Sequence, residues 1–144
     1  MKSTKQVEIN CDVKTLWDIL TKAKYTKQYM FNCAIKTDWE VGSDVTWEGV
    51  YNGVNSFQKG KIISIKPGQQ VAFSKFDTCS KLEDTPLNYT NISYTLHDIN
   101  GLSHLTVTNE IFSDSTERMS QIKQGWDIVF GKIKEVAGSL HLVS

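Results

Sequence analysis

The chain of 144 residues carries 16 lysines and arginines against 16 aspartates and glutamates, so its formal net charge is zero. A chain of this length fits one ordinary hydrophobic core, and we expect a single compact domain over residues 1–144. Because Arg118 is the one arginine, nucleic acid is not expected as a partner, and the lack of a signal-like or membrane-length apolar run predicts a soluble, cytoplasmic protein without membrane insertion.

The N-terminal part of the chain predicts one strand followed by two short helices. The strand is expected over about residues 4–9, and the second helix over about residues 24–30. Asp12 is the expected N-cap of the first helix, because apolar residues recur at helical spacing after it. Those apolar residues are Val13, Leu16, Ile19 and Leu20.

Five further strands are predicted as an antiparallel meander. Asn52-Gly53 and Asn100-Gly101 are hairpin signals, because a type I′ turn needs positive φ at both central residues. Pro67-Gly68 indicates another turn, and residues 77–88 are expected to form a surface loop. The strands are expected over about residues 44–51, 54–66, 69–76, 89–98 and 102–112.

The last hairpin has a register that its turn defines. With Asn100 and Gly101 as the two turn residues, Ile99 faces Leu102, and each later pair lies one step further from the turn. The solvent face then carries the pair His97–His104, and the interior face contains one polar residue, Asn109. Leu96, Leu105, Tyr94 and Val107 are among the other residues predicted to face inward.

A long amphipathic helix is predicted at the C-terminal end, over about residues 116–139. Asp114 is the expected N-cap, with Glu117 three residues later. Gly125 and Gly131 lie inside the helix and are predicted to permit the close approach of another backbone. The apolar stripe comprises Met119, Ile122, Trp126, Val129, Phe130, Ile133, Val136, Ala137 and Leu140.

The sequence contains no pattern typical of a metal site. His97 and His104 are expected side by side across two strands, but two ligands do not make a site on a polar sheet face. The three cysteines lack C-x-x-C spacing, which favours reduced thiols. We therefore expect neither a metal nor another cofactor.

Five segments resemble, in order and spacing, the family named for the activator of the heat-shock protein 90 ATPase, which belongs to the START-like (SRPBCC) helix-grip superfamily. The resemblance spans about residues 7–137 and implies an α+β helix-grip fold. A curved antiparallel sheet of about six strands would wrap around the long C-terminal helix, with two short helices between strands one and two. The segments are LWDILT, DWEVGSDVTWEG, GKIISIKPGQQVAF, YTLHDINGLSHLTVT and GWDIVFGKIKE.

The sequence departs from the family pattern in two places, so the function in the family name is not assumed for this chain. Tyr29 lies where such proteins usually have a tryptophan. The eukaryotic cochaperone also has a separate N-terminal domain with an N-x-N-N-W-H-W type motif on which ATPase stimulation depends, and no such motif occurs in this chain.

The first functional hypothesis is a non-catalytic START-like domain that binds a small hydrophobic or amphipathic ligand between the sheet and the C-terminal helix. Trp39 and Trp47, on either side of the turn at Gly42, are either packing residues or help to line that cavity. The candidate ligand-binding residues are Trp47, Tyr94, Val107, Asn109, Ile122, Trp126 and Phe130.

Two alternatives stay open, and the sequence indicates neither the ligand nor an oligomeric state. One is a chaperone-linked interaction protein, with a chaperone as its partner and a role in the stress response, as the resemblance implies. The other is a small pocket enzyme, for which Asp38, Tyr94 and Asn109 are the candidate polar groups. No linear nucleophile or metalloprotease motif supports catalysis, so we expect no catalytic residues.

Overall fold

A computed structural model of the chain describes the backbone of residues 1–143 and the side chains of residues 1–140. Besides a short 3₁₀ turn at Pro86–Asn88, these residues form seven strands and three helices. In chain order the elements are β1 (Lys2–Ile9), α1 (Val13–Thr21), α2 (Ala23–Tyr29), β2 (Ala34–Thr37), β3 (Asp44–Tyr51), β4 (Val54–Lys66), β5 (Gln70–Asp77), β6 (Thr90–Ile99), β7 (Leu102–Glu110) and α3 (Thr116–Val143).

The strands form one curved antiparallel sheet in the order β1-β7-β6-β5-β4-β3-β2, and the helix-grip prediction is confirmed. The sheet has seven strands rather than about six. The strand missed by the sequence analysis is β2, which has four residues and pairs with β3. Four residues are too few to show a clear alternation of apolar and polar side chains. None of the helices in the described part of the chain is long and apolar enough to cross a membrane.

The predicted register of the last hairpin is confirmed. Asn100 and Gly101 both have positive φ, and His97 pairs with His104 as expected. His97 is exposed, whereas Leu96, Leu105, Tyr94 and Val107 are all buried, as predicted. A turn shifted by one residue would have exchanged the two faces.

Two predictions about α3, its N-cap residue and the role of its glycines, are wrong. The N-cap of α3 is Ser115, not Asp114, because the Ser115 hydroxyl accepts a 3.1 Å hydrogen bond from the Arg118 backbone N–H. A Cβ atom at Gly125 or Gly131 would meet nothing within 4 Å, so neither glycine permits a close backbone contact. The glycines that do so are Gly49 in β3, where a Cβ would collide with the Asn32 backbone, and Gly60 in β4, where it would collide with the Ser74 backbone of β5.

The two short helices are anchored by local hydrogen bonds. The Asp12 carboxylate accepts a 2.7 Å bond from the Thr15 backbone N–H, which confirms Asp12 as the cap of α1. Tyr29 is fully buried, and its hydroxyl donates a 2.8 Å bond to the Leu20 carbonyl. This tyrosine therefore connects the end of α2 to α1.

Candidate functional site

A cavity of about 350 Å³ lies between the inner face of the sheet and α3. Its walls come from the end of α2, from strands β4 to β7, from the loop after β5 and from the N-terminal half of α3. The apolar part of the wall comprises Met30, Phe31, Leu82, Ile92, Ile122, Trp126 and Val129. A volume of this size is at the lower end of the range for small-molecule sites, about 300–1,000 Å³.

Three of the seven predicted ligand-binding residues line this cavity, namely Asn109, Ile122 and Trp126. A second cavity, of about 260 Å³, lies beyond Trp126 and is lined by Val107 and Phe130, together with Asn109 and Trp126. Trp126 and Asn109 therefore form the partition between the two cavities.

Trp47 and Tyr94 line neither cavity and belong to the packed core. They are parts of one aromatic row that crosses the core from β3 to α3. Ring centroids in this row are 5.9 Å apart for Trp47–Phe73, 5.5 Å for Phe73–Tyr94, 5.8 Å for Tyr94–Trp126 and 5.4 Å for Trp126–Phe130. Trp47 and Tyr94 are both buried on the inner face of the sheet, as predicted, but they pack against neighbouring rings and not against the cavities.

The inward polar residue Asn109 has a specific partner. Its side-chain oxygen accepts a 3.1 Å hydrogen bond from the Trp126 indole N–H, and both side chains are buried. A buried donor without a partner would cost about 1–3 kcal/mol, so this bond fixes the indole against β7. The position of Trp126 at the cavity wall is thus set by one hydrogen bond and two aromatic contacts.

Lys75 on β5 is a cavity residue that the sequence analysis missed. Its ammonium nitrogen lies 4.9 Å from the centroid of the Trp47 ring and 3.8 Å from the Met30 sulfur. Desolvation by burial lowers the pKa of Lys75 from its usual 10.5 to about 8, and Cys33 and Asp77 oppose this only in part. The signal was present in the sequence, since Lys75 follows the buried Val71 and Phe73 at the spacing of two that puts all three on one sheet face.

A second cation, Arg118, lies at the cavity wall on the first turns of α3. One guanidinium nitrogen donates to the Asn88 carbonyl at 3.1 Å and to the Thr90 hydroxyl at 3.2 Å. These bonds connect α3 to the loop and to β6. The wall also contains two buried polar atoms without a partner in the described protein, the side-chain oxygens of Gln58 and Ser80.

The candidate polar groups for catalysis do not converge. Asp38 is exposed and lines neither cavity, which corrects its choice as a pocket residue. Tyr94 is buried in the aromatic row, where desolvation raises the pKa of its hydroxyl. Asn109 alone reaches the cavity, and its oxygen is already bonded to Trp126.

The sequence profile of the family described as activator of Hsp90 ATPase homolog 1-like protein matches residues 10–138. The chain belongs to this family. The match extends over six of the seven strands, β2 to β7, over α1 and α2, and over most of α3. It confirms the family resemblance read from the five sequence segments. No curated protein sequence matches the chain significantly.

Solved structures share the fold of this family member at low sequence identity. The ChR145 protein of Cytophaga hutchinsonii has 21% identity and a TM-score of 0.80, with 96% of this chain and 94% of that chain covered. The Aha1 dimer of Colwellia psychrerythraea has 17% identity and a TM-score of 0.73, with 95% and 96% covered. The MLL2253 protein of Mesorhizobium loti has 14% identity and a TM-score of 0.79, with 96% and 98% covered. At these identities the likeness shows the fold alone.

Proposed function

We propose that the protein is a non-catalytic START-like domain that binds a small hydrophobic or amphipathic molecule in the cavity between the sheet and α3. The observation that carries this proposal is the cavity of about 350 Å³ whose wall is mostly apolar. Ligand sites are typically concave, lined by apolar and aromatic side chains, and contain a few polar groups that orient the ligand. Asn109, Ile122 and Trp126 are the proposed ligand contacts, with Trp47 and Tyr94 as the packed layer behind them.

The side of the cavity formed by α3 supports this proposal. Gly125 lies on the cavity wall between Ile122 and Trp126, and a Cβ at this position would point into open space. A glycine inside a helix costs about 1 kcal/mol relative to alanine. Here the missing side chain leaves volume that a ligand would occupy.

Replacing Gly125 with leucine is expected to weaken the binding of an apolar probe such as decan-1-ol at least about tenfold, because the new side chain fills the cavity. The matched control is Gly131→Leu, since Gly131 is exposed on the same helix and lines neither cavity. Both substitutions should raise the free energy of unfolding by about 0.5–1 kcal/mol through helix propensity.

Thermal unfolding with increasing probe concentration measures the effect. A ligand at a hundred times its Kd stabilises the folded protein by about 2.7 kcal/mol. We expect that stabilisation in the parent and in Gly131→Leu, and no more than about 1.4 kcal/mol at the same probe concentration in Gly125→Leu. Equal binding by all three proteins would place the ligand elsewhere and contradict the proposal.

The chaperone-linked function is the second candidate, favoured by family membership. It predicts that the protein stimulates the ATPase of a heat-shock protein 90, and that Gly125→Leu stimulates it equally well because the cavity is not involved. Stimulation that is lost together with probe binding would instead connect the two functions.

A further inference from the structure

The Lys75 ammonium is a charge without a charged partner at the wall of an otherwise mostly apolar cavity. Among the described side chains, no carboxylate lies within 4 Å of its nitrogen. Its two close neighbours are the face of the Trp47 ring and the Met30 sulfur. A ring face and a thioether offset only part of the hydration that an ammonium loses on burial.

The other charged and titratable groups near Lys75 do not neutralise it. Asp77 lines the same cavity, but its carboxylate accepts a 2.9 Å hydrogen bond from the Cys79 backbone N–H in the loop. Arg118 lines the cavity from α3 and adds a second positive charge. Cys33 is a buried thiol next to Met30, whose carbonyl accepts a 2.9 Å hydrogen bond from the Cys33 backbone N–H. The cavity wall thus carries two cations and one acid, and that acid is directed toward its own loop.

We propose that the cavity takes an amphipathic acid, with the Lys75 ammonium as counter-ion of the ligand's carboxylate and the apolar wall around Ile92, Ile122 and Trp126 holding its hydrocarbon part. This proposal rests on the proposed ligand-binding function and specifies its ligand class. A carboxylate carries one negative charge, which matches one ammonium. It also replaces the hydration that the ammonium lacks in the free protein.

Three probes of equal chain length separate the head group from the hydrocarbon part: decanoate, decan-1-ol and decylamine. Calorimetric titration of the parent, of Lys75→Met and of Lys36→Met measures each affinity at pH 7. Methionine keeps an apolar stem as long as that of lysine but removes the ammonium group. Lys36 lies exposed on β2 and lines neither cavity, so Lys36→Met is the matched control.

We expect Lys75→Met to bind decanoate at least about tenfold more weakly than the parent, since hydrogen bonds to charged groups contribute about 1.5–3 kcal/mol. Decan-1-ol should bind the parent and Lys75→Met with affinities within about threefold. Decylamine should bind Lys75→Met more tightly than the parent, because like charges repel. Lys36→Met should behave as the parent with all three probes.

The pH dependence provides a second readout that needs no substitution. The pKa of Lys75 is about 8 in the free protein, whereas a carboxylate probe stays ionised throughout the neutral and alkaline range. Decanoate affinity should therefore be constant below about pH 8 and fall by up to tenfold for each further pH unit. Decan-1-ol affinity should show no such fall.

The outcomes separate this inference from the proposed function. If decan-1-ol binds and Gly125→Leu weakens its binding at least about tenfold, while decanoate affinity is unchanged in Lys75→Met and constant to pH 9, the amphipathic-acid proposal is overturned and the cavity function stands. If none of the three probes binds the parent, both fail.

Discussion

Replacing Trp126 with alanine is expected to lower the free energy of unfolding by about 3 kcal/mol, at the low end of the range of about 3–5 kcal/mol for large aromatic residues in packed cores. The indole is 9% exposed and contacts the rings of Tyr94 and Phe130. Part of the indole surface, however, borders the two cavities and contacts no other side chain, so removing the indole costs no packing energy there. The substitution also leaves the Asn109 oxygen without its donor.

Trp126→Phe is the matched control, because it retains a ring but removes the indole N–H. It should cost about 1–2 kcal/mol, mostly from the lost bond to Asn109. Urea unfolding measures both losses, and binding of an apolar dye reports the joined cavities of Trp126→Ala. A loss above about 5 kcal/mol, or a failure to fold, would mean that the indole is packed on all sides and is not a cavity wall.

Replacing Lys75 with methionine is expected to raise the free energy of unfolding at pH 7 by about 1–3 kcal/mol. At 1.36 kcal/mol per pKa unit, the drop from 10.5 to about 8 corresponds to about 3 kcal/mol of cost for keeping the ammonium charged in the fold. The side chain is partly exposed, and its contact with the Trp47 ring contributes favourably, so the net gain is smaller.

The difference in the free energy of unfolding between Lys75→Met and the parent should become smaller as the pH rises. Below about pH 8 the lysine is protonated in both the folded and unfolded states, and the folded state bears the full cost. Between about pH 8 and 10.5 the unfolded chain binds more protons at this site, so the parent gains stability relative to Lys75→Met as the pH rises. Urea unfolding at pH 7 and at pH 9.5 measures the change. A parent that is more stable than Lys75→Met at pH 7 would contradict the cost assigned to this charge.

The sheet and its register could be predicted because short-range turn chemistry defines them. Asn100-Gly101 demands positive φ at both residues, and this one turn placed Leu96 inward and His97 outward. The strand β2 was not predicted because it has only four residues. The turn before it also lacks the usual glycine signal, since Phe31 and Asn32 adopt the positive φ there.

The candidate site was only partly predictable, because cavity walls depend on what lies in front of each inward residue. Trp47 and Asn109 both point inward from strands, yet Trp47 packs against Phe73 with the Lys75 ammonium over its ring, whereas Asn109 lines the cavity. Lys75 was missed because lysine is rarely buried. The residue type argued against an inward position, although the alternation along β5 indicated one. Gly125 was predicted to permit a close backbone contact. The open space beside it depends on how α3 packs against the sheet, which the sequence does not show.

The central claim, that an apolar molecule occupies the cavity between the sheet and α3, is tested most directly by isoleucine methyl NMR during a titration with decan-1-ol. Ile92 and Ile122 line the cavity, whereas Ile128 on α3 and Ile63 on β4 are 52% and 45% exposed and line neither cavity. The account predicts that the methyl signals of Ile92 and Ile122 shift together with one saturating Kd, while those of Ile128 and Ile63 stay in place. Shifts of equal size at Ile128 and Ile63, or no saturable shift at Ile92 and Ile122, would contradict it.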